Sequence, residues 1–229
     1  MKEESERIHA GPREEKLEFR TGKIEEIVSS FRSSLPHPHD FSPSTADVCW
    51  IPEVRKAIVG GTDEEFRDRE AEVRSRISEL SATWLEERKT VLLKRLPQGS
   101  PGMEHLSLAT TLFDCKGCSK FGMRTEEVLS HRCRYDDDRR IPKFPNSTSR
   151  RYFCHEVGIP WDFRIPMYRY SKELSALTRA IVLECGEDPD TITTEEMNKK
   201  HHRFVRLGAN GSIAVLSWSQ AVSSRARAL

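Results

Sequence analysis

Residues 113–133, FDCKGCSKFGMRTEEVLSHRC, constrain the fold more than any other part of this chain. Cys115 and Cys118 form a C-x2-C pair, and after twelve residues His131 and Cys133 follow as H-x-C. A tetrahedral zinc ion takes four N or S ligands, and a C-x2-C turn offers two thiolates to one point. The two pairs therefore predict one structural zinc site of Cys3His type on Cys115, Cys118, His131 and Cys133. The apolar residues agree with that reading. Phe113 stands two residues before the first Cys and Val128 three before the His, where small ββα fingers keep their core. Residues 125–130, TEEVLS, contain neither Gly nor Pro and predict a short helix that delivers His131.

Two details separate this module from a DNA-reading finger. Such a finger places its last ligand after a gap of roughly three to five residues beyond the first His. Here those positions hold Tyr135, Asp136 and Asp137, so the fourth ligand falls to Cys133, past the helix end. Phe121 also lies one residue off the usual core aromatic position. The module reads as a finger-like knuckle with an altered exit. The alternatives are a reduced Cys pair in an apolar turn, or a redox C-x-x-C. The redox form sits in a thioredoxin-like βαβ unit, and none is evident. A catalytic zinc keeps an open position, whereas four protein ligands close it. Neither a Gly-rich phosphate loop nor a nucleophile elbow is present. The expectation is a protein that is not an enzyme and has no small-molecule substrate.

Charge composition narrows the partners. With 37 Lys and Arg against 36 Asp and Glu, the net charge of +1 gives no bulk argument for nucleic acid or an anionic membrane. No apolar run reaches the roughly 18 residues of a membrane span. The opening MKEESERIHA lacks the apolar core of a secretory signal. Six cysteines in such a chain are expected to be reduced or metal-bound, in an intracellular setting of cytoplasm or nucleus.

The rest of the chain divides by pattern. Residues 1–45 read as a mobile polar arm with a short helical pattern through Leu17, Phe19, Ile24, Ile27, Val28 and Phe31; His37 and His39 read as ordinary loop histidines. Residues 46–98 form a helical region. There Thr62 and Glu65 make a capping box, and Phe66, Val73, Ile77, Leu80, Trp84, Val91 and Leu96 mark one face of a long helix. Residues 99–135 are the zinc-knuckle module. Residues 136–170 are an irregular Pro-, aromatic- and Arg-rich segment, whose Phe153, Trp161, Phe163 and Tyr168 are expected to plug a core. Cys154-His155 is a second metal-type pair with no partner pair at ligand spacing. Residues 171–229 form a helix–hairpin unit: a helix stopped by Gly186, a capped helix at Thr193, and two strands joined by a turn from Gly208 to Gly211. The fold class this predicts is α+β and mainly helical, with a long N-terminal helix, a small zinc knuckle, and a C-terminal helix plus β-hairpin.

The succession LATTLF-x-C-x2-C, VLSHRC, ECGEDPDTITTEEM, RFVRL and VLSWSQAV resembles a large group of poorly characterised basidiomycete proteins. These are often described as F-box or F-box-associated, and the resemblance covers roughly residues 46–222. The group's finger-like ligands carry over onto Cys115, Cys118, His131 and Cys133. Where relatives carry a second C-x2-C and a further His, this chain has Arg206, Ala209 and Ser224, which implies that a second metal site is lost. A ubiquitin-ligase adaptor role is implied only for members with an F-box, and no such helix set stands upstream of Trp50. The resulting expectation is a zinc-stabilised module that binds a protein partner, possible F-box association included; the alternative is a nucleic-acid-binding zinc-finger protein.

Overall fold

A computed structural model describes residues 10–36, 41–97, 102–131, 143–207 and 213–226. The protein is mainly helical with small antiparallel sheets, the α+β class expected. In chain order the helices are α1 (Ala10–Ser34), α2 (Thr45–Cys49), α3 (Pro52–Gly60), α4 (Asp63–Leu93), α5 (Thr125–Ser130), α6 (Ser147–Tyr152), α7 (Lys172–Glu184), α8 (Thr194–Lys199) and α9 (Trp218–Ala226). The strands are β1 (Phe113–Cys115), β2 (Lys120–Met123), β3 (Tyr168–Tyr170), β4 (Arg203–Leu207) and β5 (Ile213–Ser217). The chain divides into two compact units, one of residues 1–87 and 136–163, the other of residues 88–135 and 164–229.

In the first unit α1 is longer than the pattern suggested. It runs for 25 residues and buries Leu17, Ile24, Ile27 and Val28, while Phe19 points to solvent. The inward positions keep a helical period from Leu17 to Val28, but the turn between holds Arg20 and Thr21, both buried. Polar residues in core slots broke the apolar pattern, and that is why the helix read as short. Arg20 lies 1% exposed and donates to Ala57 O at 2.6 Å, Ile58 O at 3.0 Å and Gly61 O at 2.9 Å. It thereby satisfies carbonyls at the open end of α3 that no helical N–H can reach.

Trp50 organises the rest of that core. Its ring meets Phe144, Phe153 and Phe163 with centroids 5.6, 5.6 and 5.2 Å away, and its Nε1 donates to Gly158 O at 2.9 Å. Phe153 and Trp161 are buried, so the Pro- and Arg-rich segment fills a core here, as its aromatic spacing implied. The capping box of α4 forms: Thr62 N donates to Glu65 Oε2 at 2.6 Å and Glu65 N to Thr62 Oγ1 at 3.1 Å. Phe66, Val73, Ile77 and Trp84 are the buried face of α4, and Leu92 is buried where Val91 was expected to be.

The second unit holds a three-stranded antiparallel sheet ordered β2-β1-β3 and the separate hairpin β4–β5. Ala109, Leu112, Leu174, Val182, Ile192, Met197, Trp218 and Val222 form a core between α7, α8, α9 and the chain that enters β1. Helix α7 ends as Gly186 predicted. Gly186 sits at φ 77° and donates to Leu183 O at 2.9 Å, and Glu187 N donates to Val182 O at 3.2 Å. That is the Schellman arrangement, which glycine favours. The β4–β5 pair runs in register from Arg203↔Ser217 to Leu207↔Ile213. The turn expected at Gly208 to Gly211 lies outside the described residues.

Candidate metal centre

The site grows from the turn between β1 and β2. Cys115 ends β1 opposite Lys120, and Phe113 pairs with Met123, with a register shift between the two. The turn and the bulge each use backbone in the left-handed region: Ser119, in the turn, sits at φ 54° and Gly122, in the bulge, at φ 66°. Gly122 supplies it without steric cost. Its N–H donates to Asp114 Oδ1 at 3.1 Å, and Asp114 in turn faces Arg169 at 3.4 Å. The bulge also answers the Phe121 anomaly. Met123 is fully buried with Phe113, and Phe121 is left 47% exposed. Sequence reasoning missed Met123; the glycine beside it was the signal that the strand register shifts there.

Two further elements hold the turn and the histidine. Lys116 N donates to Met167 O at 2.8 Å, and β3 pairs with the other edge of β1. Helix α5 packs through Val128, fully buried, and Thr125 Oγ1 donates to Leu106 O at 2.6 Å. His131 follows that helix directly, its N–H bonded to Val128 O at 3.2 Å. Tyr168 donates through its hydroxyl to His131 O at 3.3 Å, and its ring meets the imidazole edge-on at 6.0 Å. Tyr168 comes from 37 residues further on. The sequence pattern assigned it to core filling only, because nothing local links it to His131.

The outcome is a convergence of three of the four expected ligands. The Sγ atoms of Cys115 and Cys118 and a ring nitrogen of His131 lie within 4.8 Å of one another. Cys118 Sγ stands 3.2 Å from His131 Nε2. Zinc bonds of about 2.3 Å to sulfur and about 2.05 Å to nitrogen set tetrahedral edges of about 3.6–3.8 Å. The donors present fit that ion in kind, and the 3.2 Å between Cys118 Sγ and His131 Nε2 is somewhat shorter than such an edge, so these two would move slightly apart to share an ion. Cys115 is buried, His131 half-buried and Cys118 exposed. Partial burial, helped by Lys120 and Arg164, holds the His131 pKa below its ordinary value, against a weaker pull from Glu127. A neutral imidazole is the form that ligates metal.

The other expected residues fall elsewhere. Cys133 lies outside the described residues, as do Tyr135 to Asp137, His37 and His39. Cys154 and His155 belong to the first unit and join no metal-type cluster among the described residues. Among those residues no helix is long and apolar enough to cross a membrane. Compared with protein-family models, curated proteins and solved structures, the chain matches none.

Proposed function

We propose that this protein is a non-catalytic interaction module whose second unit is folded around one structural zinc ion. The observation that carries the reading is the meeting of Cys115, Cys118 and His131, delivered by a β-turn and a helix end as in a ββα finger. Cys133 is the proposed fourth ligand, two residues beyond His131. That set closes the coordination sphere and leaves no position for a substrate. Zinc bound there supplies folding free energy to an element too small to be stable alone. The strands concerned are three and four residues long, and α5 is six. A protein partner is favoured by the β4–β5 hairpin, where Val205, Ile213 and Val215 share one face and are each more than 60% exposed. An F-box-associated setting is consistent with the order of motifs along the chain.

Metal content by mass spectrometry tests the reading, on the wild type and on Cys118→Ser. The expected result is one zinc per chain, lost in the variant together with cooperative unfolding of the second unit. A wild type that folds without metal would return Cys115 and Cys118 to free thiols and reopen the redox alternative.

A further inference from the structure

The near-zero net charge hides two opposite halves. Residues 1–87 and 136–163 hold 18 Lys and Arg against 25 Asp and Glu, a net charge of −7. Residues 88–135 and 164–229 hold 19 against 11, a net charge of +8. The metal centre belongs to the basic unit. Charge asymmetry between the halves of a chain suggests an anionic partner for the basic half, and it is invisible in a whole-chain sum.

Around the centre the asymmetry becomes local. Lys116 and Lys120 flank Cys118 on the exposed tip of the turn, and Phe121 beside them is the exposed aromatic that the bulge leaves out of the core. Lys116 is exposed and forms no ion pair among the described residues, and Lys120 has Glu127 at the long distance of 3.9 Å. The acidic groups nearby are largely engaged: Asp114 faces Arg169 at 3.4 Å, and Glu127 accepts from Arg124 N at 3.0 Å and lies 3.9 Å from Lys120. An accessible ring next to exposed lysines, one of them unpaired among the described residues, suits a flexible strand, whose bases stack while its phosphates pair with cations. Duplex reading is disfavoured. Helix α5 is six residues long, and its first turn presents Glu126 and Glu127, which would face phosphates in a groove. Anionic membrane is disfavoured as well, since the tip offers one apolar side chain for insertion rather than an amphipathic face.

We propose that the knuckle tip is a platform for single-stranded nucleic acid, with a base stacked on Phe121 and phosphates held by Lys116 and Lys120. The proposal rests on the zinc reading, because the ligands fix the tip that carries these groups. The test uses the full, zinc-loaded chain in fluorescence anisotropy titrations at rising salt. The probes are labelled oligouridine, oligothymidine and a duplex of equal length, with phosphatidylserine vesicles as a fourth arm. The single strands should bind and the duplex bind more weakly; the ratio of uridine to thymidine strands then tells RNA from DNA. Phe121→Ala should weaken single-strand binding by roughly tenfold or more. Lys116→Gln with Lys120→Gln should lower the salt slope by about 0.7 for each phosphate left without its cation. No single-strand binding at about 50 mM salt, a Phe121→Ala protein that binds as tightly as wild type, tighter duplex binding, or binding to vesicles alone would each overturn the platform. Zinc content and circular dichroism of the same samples separate the two readings. A folded, zinc-loaded chain that ignores oligonucleotides sinks the platform and leaves the zinc site standing, whereas a chain without zinc sinks both.

Discussion

The two units solve the same problem, how to hold short irregular segments in place, by different physics. The acidic unit relies on burial: Trp50 sits among three phenylalanine rings, and Arg20 bonds three carbonyls at the end of α3. The basic unit gathers its smallest elements around Cys115, Cys118 and His131, where the proposed zinc would add its bonds to the small core of Phe113, Met123 and Val128. The difference teaches where each unit should fail. One should be insensitive to chelators and fragile to loss of packing; the other should respond to chelators as well, although it has an apolar core of its own around Leu112, Leu174 and Trp218.

Removal of metal is expected to have the largest effect. A chelator should abolish the tertiary signal of residues 88–135 and 164–229 and leave the Trp50 core folded, as read by hydrogen exchange. Thiol labelling sharpens the contrast. Cys118 is exposed and should react once metal is removed, whereas burial pushes the Cys49 thiol pKa far up and should keep it unlabelled until the first unit unfolds. Simultaneous labelling of both would mean that the units share one folding transition. Acid should act in the chelator's direction. The His131 pKa is held below its ordinary 6.5, so the folded form binds fewer protons than the unfolded form in that range. The stability this contributes is present above about 6.5 and is lost as pH falls towards the depressed value.

Next in size is Trp50→Ala, expected to cost about 3–5 kcal/mol through the cavity it leaves among Phe144, Phe153 and Phe163. Zinc content should not change. Arg20→Met follows, at about 3 kcal/mol, because buried carbonyls lose their donors while the stem's packing is largely kept. Denaturant midpoints with and without chelator check both. A loss of zinc in either variant would break the division drawn between the units.

What could be read in the sequence follows from how local each cause is. The capping boxes at Thr62 and Thr193, the stop at Gly186, the helix before His131 and the core role of Phe113 and Val128 are set within a few residues, and all appear in the structure. Arg20 is the opposite case. Its acceptors lie 37 to 43 residues away, so a buried guanidinium in α1 looks like one more surface charge and conceals the helix it sits in. Tyr168 and Met167, which steady the candidate site from β3 and the residue before it, were hidden for the same reason. Phe121 was half legible: its offset was visible, but the cause is the bulge at Gly122, which only pairing with β1 reveals.

The smallest effect compares two ways of closing a helix. Helix α3 ends on a donor brought from far along the chain, whereas α7 ends on Gly186, whose positive φ lets two N–H groups turn back onto the last carbonyls. Apart from the adjoining backbone, no atom lies within 4 Å of the place a Cβ would take at Gly186, so Gly186→Ala incurs mainly the cost of a left-handed backbone. That cost is about 1 kcal/mol, some threefold below the loss expected at Arg20. It should appear as a small downward shift in the second unit's stability with metal content intact. An effect as large as that of Arg20→Met would mean that the end of α7 is held by more than its own backbone, and that the contrast between local and distant closure does not hold.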